Sequence, residues 1–340
     1  MIKLFSTPRS VIDLSNYDNL LHGSLVRQFE ERVADYVGAR YACSFNSASS
    51  AIFLIMRMMV ENWPHLAKEE IEIPATIPPV VPNMILNAGI PIRLIDNYEW
   101  IGGSYLLANF LSFGVIDSAQ AISKRVFGDA EPDDLMIFSF YPTKPVGGID
   151  GGMVVSNDRD KIEHLRTMSM NGASSSTDSW ERTPQILGWK MYMNSVQAQV
   201  ANESLTLLDD KITKLDRTRR QFDRAFDQAS IHHPAIPRST AGGHHLYRIY
   251  VANNHHFVQQ AQEAEIICGI HYHSLHRHPL YGRYATNSNG YGPSSYEHRH
   301  TASIPFHAGL TDIETQKVID FTIGYQERHG PPPTRDDWYT

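Results

Sequence analysis

Short apolar runs alternate with helical stretches through the first half of this chain, and no other feature narrows its fold so far. Over residues 25–37 the apolar positions Leu25, Val26, Phe29, Val33 and Val37 recur at helical spacing. Arg27, Gln28, Glu30, Glu31, Arg32 and Asp35 fill the other face, and Gly38 is the natural stop. Residues 41–45 read as a buried strand, 46–50 as a small polar loop, and 51–59 as a mostly buried helix. Further strands are expected at 71–73, 92–95, 115–116, 136–140 and 153–155, with a helix over 83–87 ended by Gly89. Such alternation predicts an α/β fold with a mostly parallel central sheet covered on both faces.

Beyond residue 194 the pattern changes. A long, interrupted helical stretch runs to about Phe226, with Leu205, Leu208, Ile212 and Leu215 on one face and solvated charges on the other. A strand at 246–251 and helices at 257–264 and 313–325 follow. The expected division is a large domain over 1–205 and a smaller C-terminal α+β domain over 206–340. The latter ends in a tail, Gly330-Pro331-Pro332-Pro333, that cannot continue a helix.

Composition removes several classes of function. The formal net charge is −7 and no dense Lys/Arg run occurs, so nucleic acid is not an expected partner. The two cysteines, Cys43 and Cys268, lie too far apart in sequence to organise a disulfide framework, and Cys43 reads as a small buried hydrophobe. No apolar run approaches the ~20 residues that span a bilayer. A soluble, unprocessed, cytoplasmic protein is the expectation.

Three segments carry the chemistry. Asn46-Ser47-Ala48-Ser49-Ser50 lies between strand and helix, where small residues let an anion approach free backbone N–H groups. Asp117 ends a buried strand and is followed by Ser118-Ala119-Gln120. Lys144 ends Phe138-Ser139-Phe140-Tyr141-Pro142-Thr143-Lys144, ahead of Gly147-Gly148 and Gly151-Gly152. Taken singly, each has a plainer reading: a helix cap, another helix cap, a solvated surface charge. Together they supply what pyridoxal phosphate (PLP) requires, namely an amine for a Schiff base, an acid beside the pyridine nitrogen and a cradle for the phosphate. Lys144 provides the amine and Asp117 the acid. Gln120 donates to the ring hydroxyl oxygen, and Ser49 and Ser139, with backbone N–H groups near Ala48, hold the phosphate.

The same segments resemble the DegT/StrS sugar aminotransferases, which are fold-type I PLP enzymes. Residues 29–38 look like that family's opening helix. Asn46-Ser47-Ala48-Ser49-Ser50-Ala51 resembles its Asn-Ser-Gly-Thr-Ser-Ala phosphate loop, and Asp117-Ser118-Ala119-Gln120-Ala121 its Asp-x-Ala-Gln-Ala. The segment ending in Lys144 is similar to its Schiff-base motif, residues 151–158 to the strand that follows, and residues 303–312 to its Leu-Pro-x-x-x-Gly-Leu-Thr. The resemblance implies a three-layer fold-type I large domain and a homodimer with shared active sites. It implies amino transfer, usually from glutamate, to a keto sugar on a nucleoside diphosphate. It places Lys190 where the family has an Asn that reaches the partner's phosphate. It also places the loop carrying His271, Tyr272 and His276 near the sugar nucleotide. The spacing of that His-rich loop matches no closed zinc pattern, so no metal is expected. His244-His245 reads as a structural or surface pair.

This sequence departs from the family in four further places. The stretch between Asp96 and Asp117 is shorter by some tens of residues, so a strand and a helix are expected to be missing or compressed and one wall of the site open. Pro78 stands where an aromatic residue stacks on the cofactor ring. Ala48 replaces the loop glycine, and Tyr192 replaces an Arg. Two other functions therefore stay in view: a shortened non-catalytic relative that binds PLP or a sugar nucleotide, and a PLP-dependent sugar dehydratase. The known version of the latter has His in place of the lysine.

Overall fold

In the computed structural model, all residues are described except 22, 66–67, 111, 174–182, 235–244, 287–289 and 335–340. Helix α1 (Ser24–Val37) buries Val26, Phe29, Val33 and Val37 and ends at Gly38, whose φ of 84° is the left-handed cap expected there. Glu30 lies on the same buried face. Its carboxylate accepts from the Ser44 N–H at 2.7 Å and hydroxyl at 2.6 Å and pairs with Arg166 at 2.9 Å, which offsets the cost of burying the charge.

Strands β1 (Tyr41–Phe45), β4 (Tyr105–Phe110), β5 (Phe113–Asp117), β6 (Leu135–Ser139) and β7 (Gly152–Ser156) form one sheet in the order β1-β7-β6-β5-β4. Alternate residues feed opposite faces. Leu135, Ile137 and Val154 join a core with Leu54 and Ile55 of α2 (Ala48–Asn62) and Leu165 of α4 (Arg159–Ser169). Met136, Phe138, Met153 and Val155 join a second core with Phe29 and Val33 of α1 and Ala198 and Ala201 of α5 (Ser195–Thr206). The three-layer α/β architecture is therefore present.

The pairing corrects the expectation of a mostly parallel sheet. Within this five-stranded sheet only β5 and β6 pair in parallel among the described residues; β1–β7, β6–β7 and β4–β5 are antiparallel. For β4 and β5 the reason lies in their connection. Only residues 111–112 separate β4 from β5, far too few for the crossover that a parallel pair needs. Strands β2 (Ile71–Pro74) and β3 (Ile92–Ile95) form a separate parallel pair, with α3 (Val80–Ala88) between them in sequence. β2 contacts β4 without hydrogen-bonded pairing.

The long helical stretch divides at Leu207 into α5, opened by an Asn194/Gln197 capping box, and α6 (Leu208–Gln228). Strands β8 (Tyr247–Tyr250) and β9 (Thr301–Ile304) pair antiparallel. A third core joins Ile2, Phe222 and Phe226 of α6, Ile249, Phe257 of α7 (Asn254–Glu263), Ile304 and Tyr325 of α9 (Asp312–His329). Helix α8 (Gly292–His300) carries Glu297, which accepts from Arg248 at 2.9 Å and Tyr250 at 2.6 Å in the interior. Both cysteines are free and buried, as read for Cys43. Among the described residues no helix is long and apolar enough to cross a membrane.

Candidate active site

Strand register gathers the three chemistry-bearing segments at one end of the sheet. Asp117 is the last residue of β5, Ser139 the last of β6 and paired with Gly152, and Gly152 is also paired with Phe45 at the end of β1. Helix α2 starts three residues earlier than read from the sequence, at Ala48. Ser47 is its N-cap, with Oγ accepting from the Ser50 N–H at 3.2 Å. The Ala48 and Ser49 N–H groups lie in the first turn, where no intrahelical partner exists. A Cβ built on Gly152 would stand 2.3 Å from the Ala48 nitrogen, so only glycine lets β7 pass this close to the helix start. Ala48, Ser49 and Ser139 thus converge on one cradle, of a kind that suits a phosphate.

The turn from β6 to β7 presents Lys144. Phe140 anchors its start, packing edge-on against Phe29 with ring centroids 4.9 Å apart, while the Phe140 carbonyl accepts from the Gly148 N–H at 2.8 Å. The Lys144 N–H donates to the Tyr141 carbonyl at 2.9 Å, which tightens the turn. The side chain is half-buried and lines a cavity of about 340 Å³ with Phe5, Lys211, His245, Phe306 and His307. Burial pushes the ammonium down to about 8, with the Asp117 carboxylate pulling the other way. Among the described residues no acceptor pairs with it.

Asp117 is buried, which raises its proton affinity. The Ala119 N–H at 2.9 Å, the Tyr105 hydroxyl at 2.9 Å and the Lys144 charge oppose that rise. Gln120 is held at both ends: its Oε1 accepts from the Gly102 N–H and its Nε2 donates to the Tyr272 hydroxyl, each at 2.7 Å. The amide retains one further N–H for a ligand.

His271 and Tyr272 therefore stand at the site. The His271 ring nitrogen Nδ1 lies 2.9 Å from Ser303 Oγ, and burial with the nearby Lys144 charge pushes it down to about 4, so the ring is neutral near neutral pH. His276 is held within its own part of the structure. Its Nδ1 lies 2.6 Å from Ser274 Oγ and its ring stacks on Tyr291 at 4.5 Å, while Tyr291 is tied to the Leu94 carbonyl of β3. The Lys190 side chain is exposed. Pro78 precedes α3, its carbonyl accepting from the Val81 N–H at 3.1 Å, and Tyr192 bridges to Phe45 beside the α2 loop.

Three residues at the site were not singled out in the sequence. His245, read as structural or surface, is buried and stacks on Phe5 at 5.1 Å; burial and Lys144 push its proton affinity far down. His244 lies outside the described residues. Trp100 and Tyr105 fill the wall expected to be open. The indole is 6% exposed, packs on Tyr105 at 4.7 Å and runs parallel to Tyr272 at 6.2 Å. Its Nε1–H is buried with no acceptor among the described residues. The short stretch has kept a strand, β4, in antiparallel form, with no helix among its described residues.

Known proteins bear on this geometry. The sequence profile of the DegT/DnrJ/EryC1/StrS aminotransferase family matches residues 7–96 and 113–322 and skips the stretch that carries Trp100 and Tyr105. The spore coat polysaccharide biosynthesis protein SpsC of Bacillus subtilis is 24% identical, over 88% of this chain and 89% of its own. The UDP-4-amino-4,6-dideoxy-N-acetyl-beta-L-altrosamine transaminase of Helicobacter pylori is 22% identical, over 91% and 92%. Among solved structures, Spr1654 of Streptococcus pneumoniae in its PLP form superposes with a TM-score of 0.82 at 17% identity, over 95% of this chain and 98% of that one, which shows a shared fold. With Lys144, Asp117 and the α2 start all inside the matched residues, this chain belongs to the DegT/DnrJ/EryC1/StrS aminotransferase family.

Proposed function

We propose that this PLP-dependent aminotransferase moves an amino group from an amino-acid donor, glutamate by family resemblance, to a keto sugar carried on a nucleoside diphosphate. One observation carries the reading: Lys144, in the turn after β6, and Asp117, at the end of β5, lie close enough for each to shift the other's proton affinity. The names of the relatives, a polysaccharide biosynthesis protein and a UDP-sugar transaminase, support the substrate class.

The residues present fit the cofactor. Gly152 lets β7 pack directly against the α2 start, where the Ala48 and Ser49 N–H groups and the Ser49 and Ser139 hydroxyls would hold a phosphate. Asp117 would pair with the ring nitrogen and Gln120 would donate its remaining N–H to the ring hydroxyl oxygen. Bound PLP supplies an electron sink that acidifies the α-carbon of an amino substrate. Lys144 is suited to the proton transfer itself. With its proton affinity lowered to about 8, a useful fraction of the amine is neutral near physiological pH, and its Nζ takes the proton from the substrate α-carbon. The neutral rings of His245 and His271 place no second cation beside it. Trp100, Tyr105 and Tyr272 keep water from the side of Asp117 and Gln120.

In this reading His271 and Tyr272 border the substrate region, and His276 contributes through the loop they share. Lys190 is exposed, and in the homodimer that the family resemblance implies it would reach the partner's phosphate as a point charge. Two free buried thiols suit a reducing cytoplasm. The test is spectroscopic. Protein loaded with PLP and mixed with excess glutamate should lose its visible absorbance, and a nucleoside-diphosphate keto sugar should restore it. A spectrum that no amino donor changes would count against amino transfer.

A further inference from the structure

The Asp117 carboxylate is held from both sides. Its Oδ1 accepts from the Ala119 N–H, as the turn after β5 dictates, and its Oδ2 accepts from the Tyr105 hydroxyl at 2.9 Å. Tyr105 and Asp117 are direct cross-strand partners at the ends of β4 and β5, so the hydrogen bond is built into the register. The phenol is braced by the buried Trp100 ring at 4.7 Å. Both residues belong to the stretch that the family profile skips. The titratable groups facing Asp117 are Tyr105, Tyr272 and Lys144.

We propose that Tyr105 is a positioning residue for the acid of the cofactor site: its phenol orients the Asp117 carboxylate and favours its charged form, a task performed here by a segment that the family profile skips. This rests on the reading of Lys144 and Asp117 as PLP ligands. A carboxylate oxygen has two lone pairs, so one donor on each oxygen leaves room for the ring nitrogen. A proton shared between Asp117 and that nitrogen is pushed toward the nitrogen when a donor stabilises the carboxylate. The ring then carries more positive charge, and the nitrogen joined to Lys144 gives up its own proton at lower pH.

The experiment is a pH titration of the visible absorbance of the PLP-loaded protein. Tyr105→Phe keeps the ring and removes the donor. Its midpoint should rise by about one pH unit, the size expected for losing a hydrogen bond to a charged group. Replacing Tyr105 with 3-fluorotyrosine, a stronger donor of nearly the same shape, should move the midpoint down. This second protein decides the matter should Tyr105→Phe fail to fold. Unmoved midpoints, in a protein whose absorbance still vanishes with Lys144→Ala, would leave Tyr105 a packing residue only and overturn the inference. Wild-type absorbance that survives Lys144→Ala would instead overturn the underlying assignment of Lys144, and the inference with it.

Discussion

Gln120 Nε2 donates to the Tyr272 hydroxyl at 2.7 Å, linking the turn after β5 to a loop 152 residues further along the chain. Tyr272→Phe removes the acceptor and leaves a largely buried amide N–H without one. We expect the PLP-free protein to lose about 1–2 kcal/mol of stability, measured by urea unfolding. Saturating PLP should leave that loss in place, because the ring oxygen takes the other amide N–H rather than the one that Tyr272 held. A loss that PLP abolishes would mean that the cofactor takes the N–H that Tyr272 held, and would overturn the assignment of the second N–H to the ring oxygen.

The other amine lining the Lys144 cavity, Lys211, donates to Ser204 Oγ at 2.7 Å, and the nearby His245 and His271 are neutral rings that form no Schiff base. Lys144→Ala should therefore abolish the visible absorbance that borohydride bleaches in the wild type. It should also lower the rate of amino transfer by roughly 10²–10⁴, the usual worth of a positioned acid–base group. Lys144→Arg keeps a charge but should restore neither signal, because a guanidinium stays protonated.

Much of this site was legible because its parts are local. The glycine-rich turn after a buried aromatic strand marks Lys144, and the small-residue run before an apolar helix marks Ala48 and Ser49. Tyr105 was not legible. Its strand contains a bulge between Leu106 and Ala108 that leaves Leu107 and Ala108 buried in succession, which erases the alternation by which a strand is recognised. Its partner is chosen by pairing, and pairing across a hairpin is not written in either segment alone. The antiparallel pairing of β4 with β5 escaped for the same reason, since it follows from the two-residue link at 111–112, a link visible only once β4 is recognised. His245 escaped because nothing adjacent to it in sequence shows that Phe5 and Lys144 fold against it.

The lowered proton affinity of Lys144 makes stability depend on pH. The folded PLP-free protein releases this proton near pH 8, the unfolded chain near its ordinary value of ~10.4. Between those values the unfolded state binds more protons, so this residue's contribution rises with pH across that window. Below about pH 8 the penalty for burying the ammonium is present in full. Lys144→Met should accordingly stabilise the PLP-free protein at pH 7, and the gain should shrink by pH 10. Urea midpoints at the two pH values check this; a gain that does not change with pH would place the ammonium in a water-like environment.

Gly152 carries the most restrictive backbone contact of the cradle. A methyl group there would press on the Ala48 nitrogen, Ala48 Cα at 2.5 Å and the Ser47 carbonyl carbon at 2.5 Å, all of them backbone atoms that cannot rotate away. Gly152→Ala must therefore displace either the start of α2 or the end of β7, at a cost of about 1–3 kcal/mol in unfolding free energy. The displaced atoms include the N–H group that would face the phosphate. PLP affinity should fall at least tenfold, while Lys144 and Asp117 remain in place to form the visible absorbance once PLP is saturating. Titration of the PLP-free variant, followed by that absorbance, separates the two effects. Weakened binding with an unchanged final spectrum is the expected result, and unchanged affinity would show that the phosphate does not bind at the α2 start.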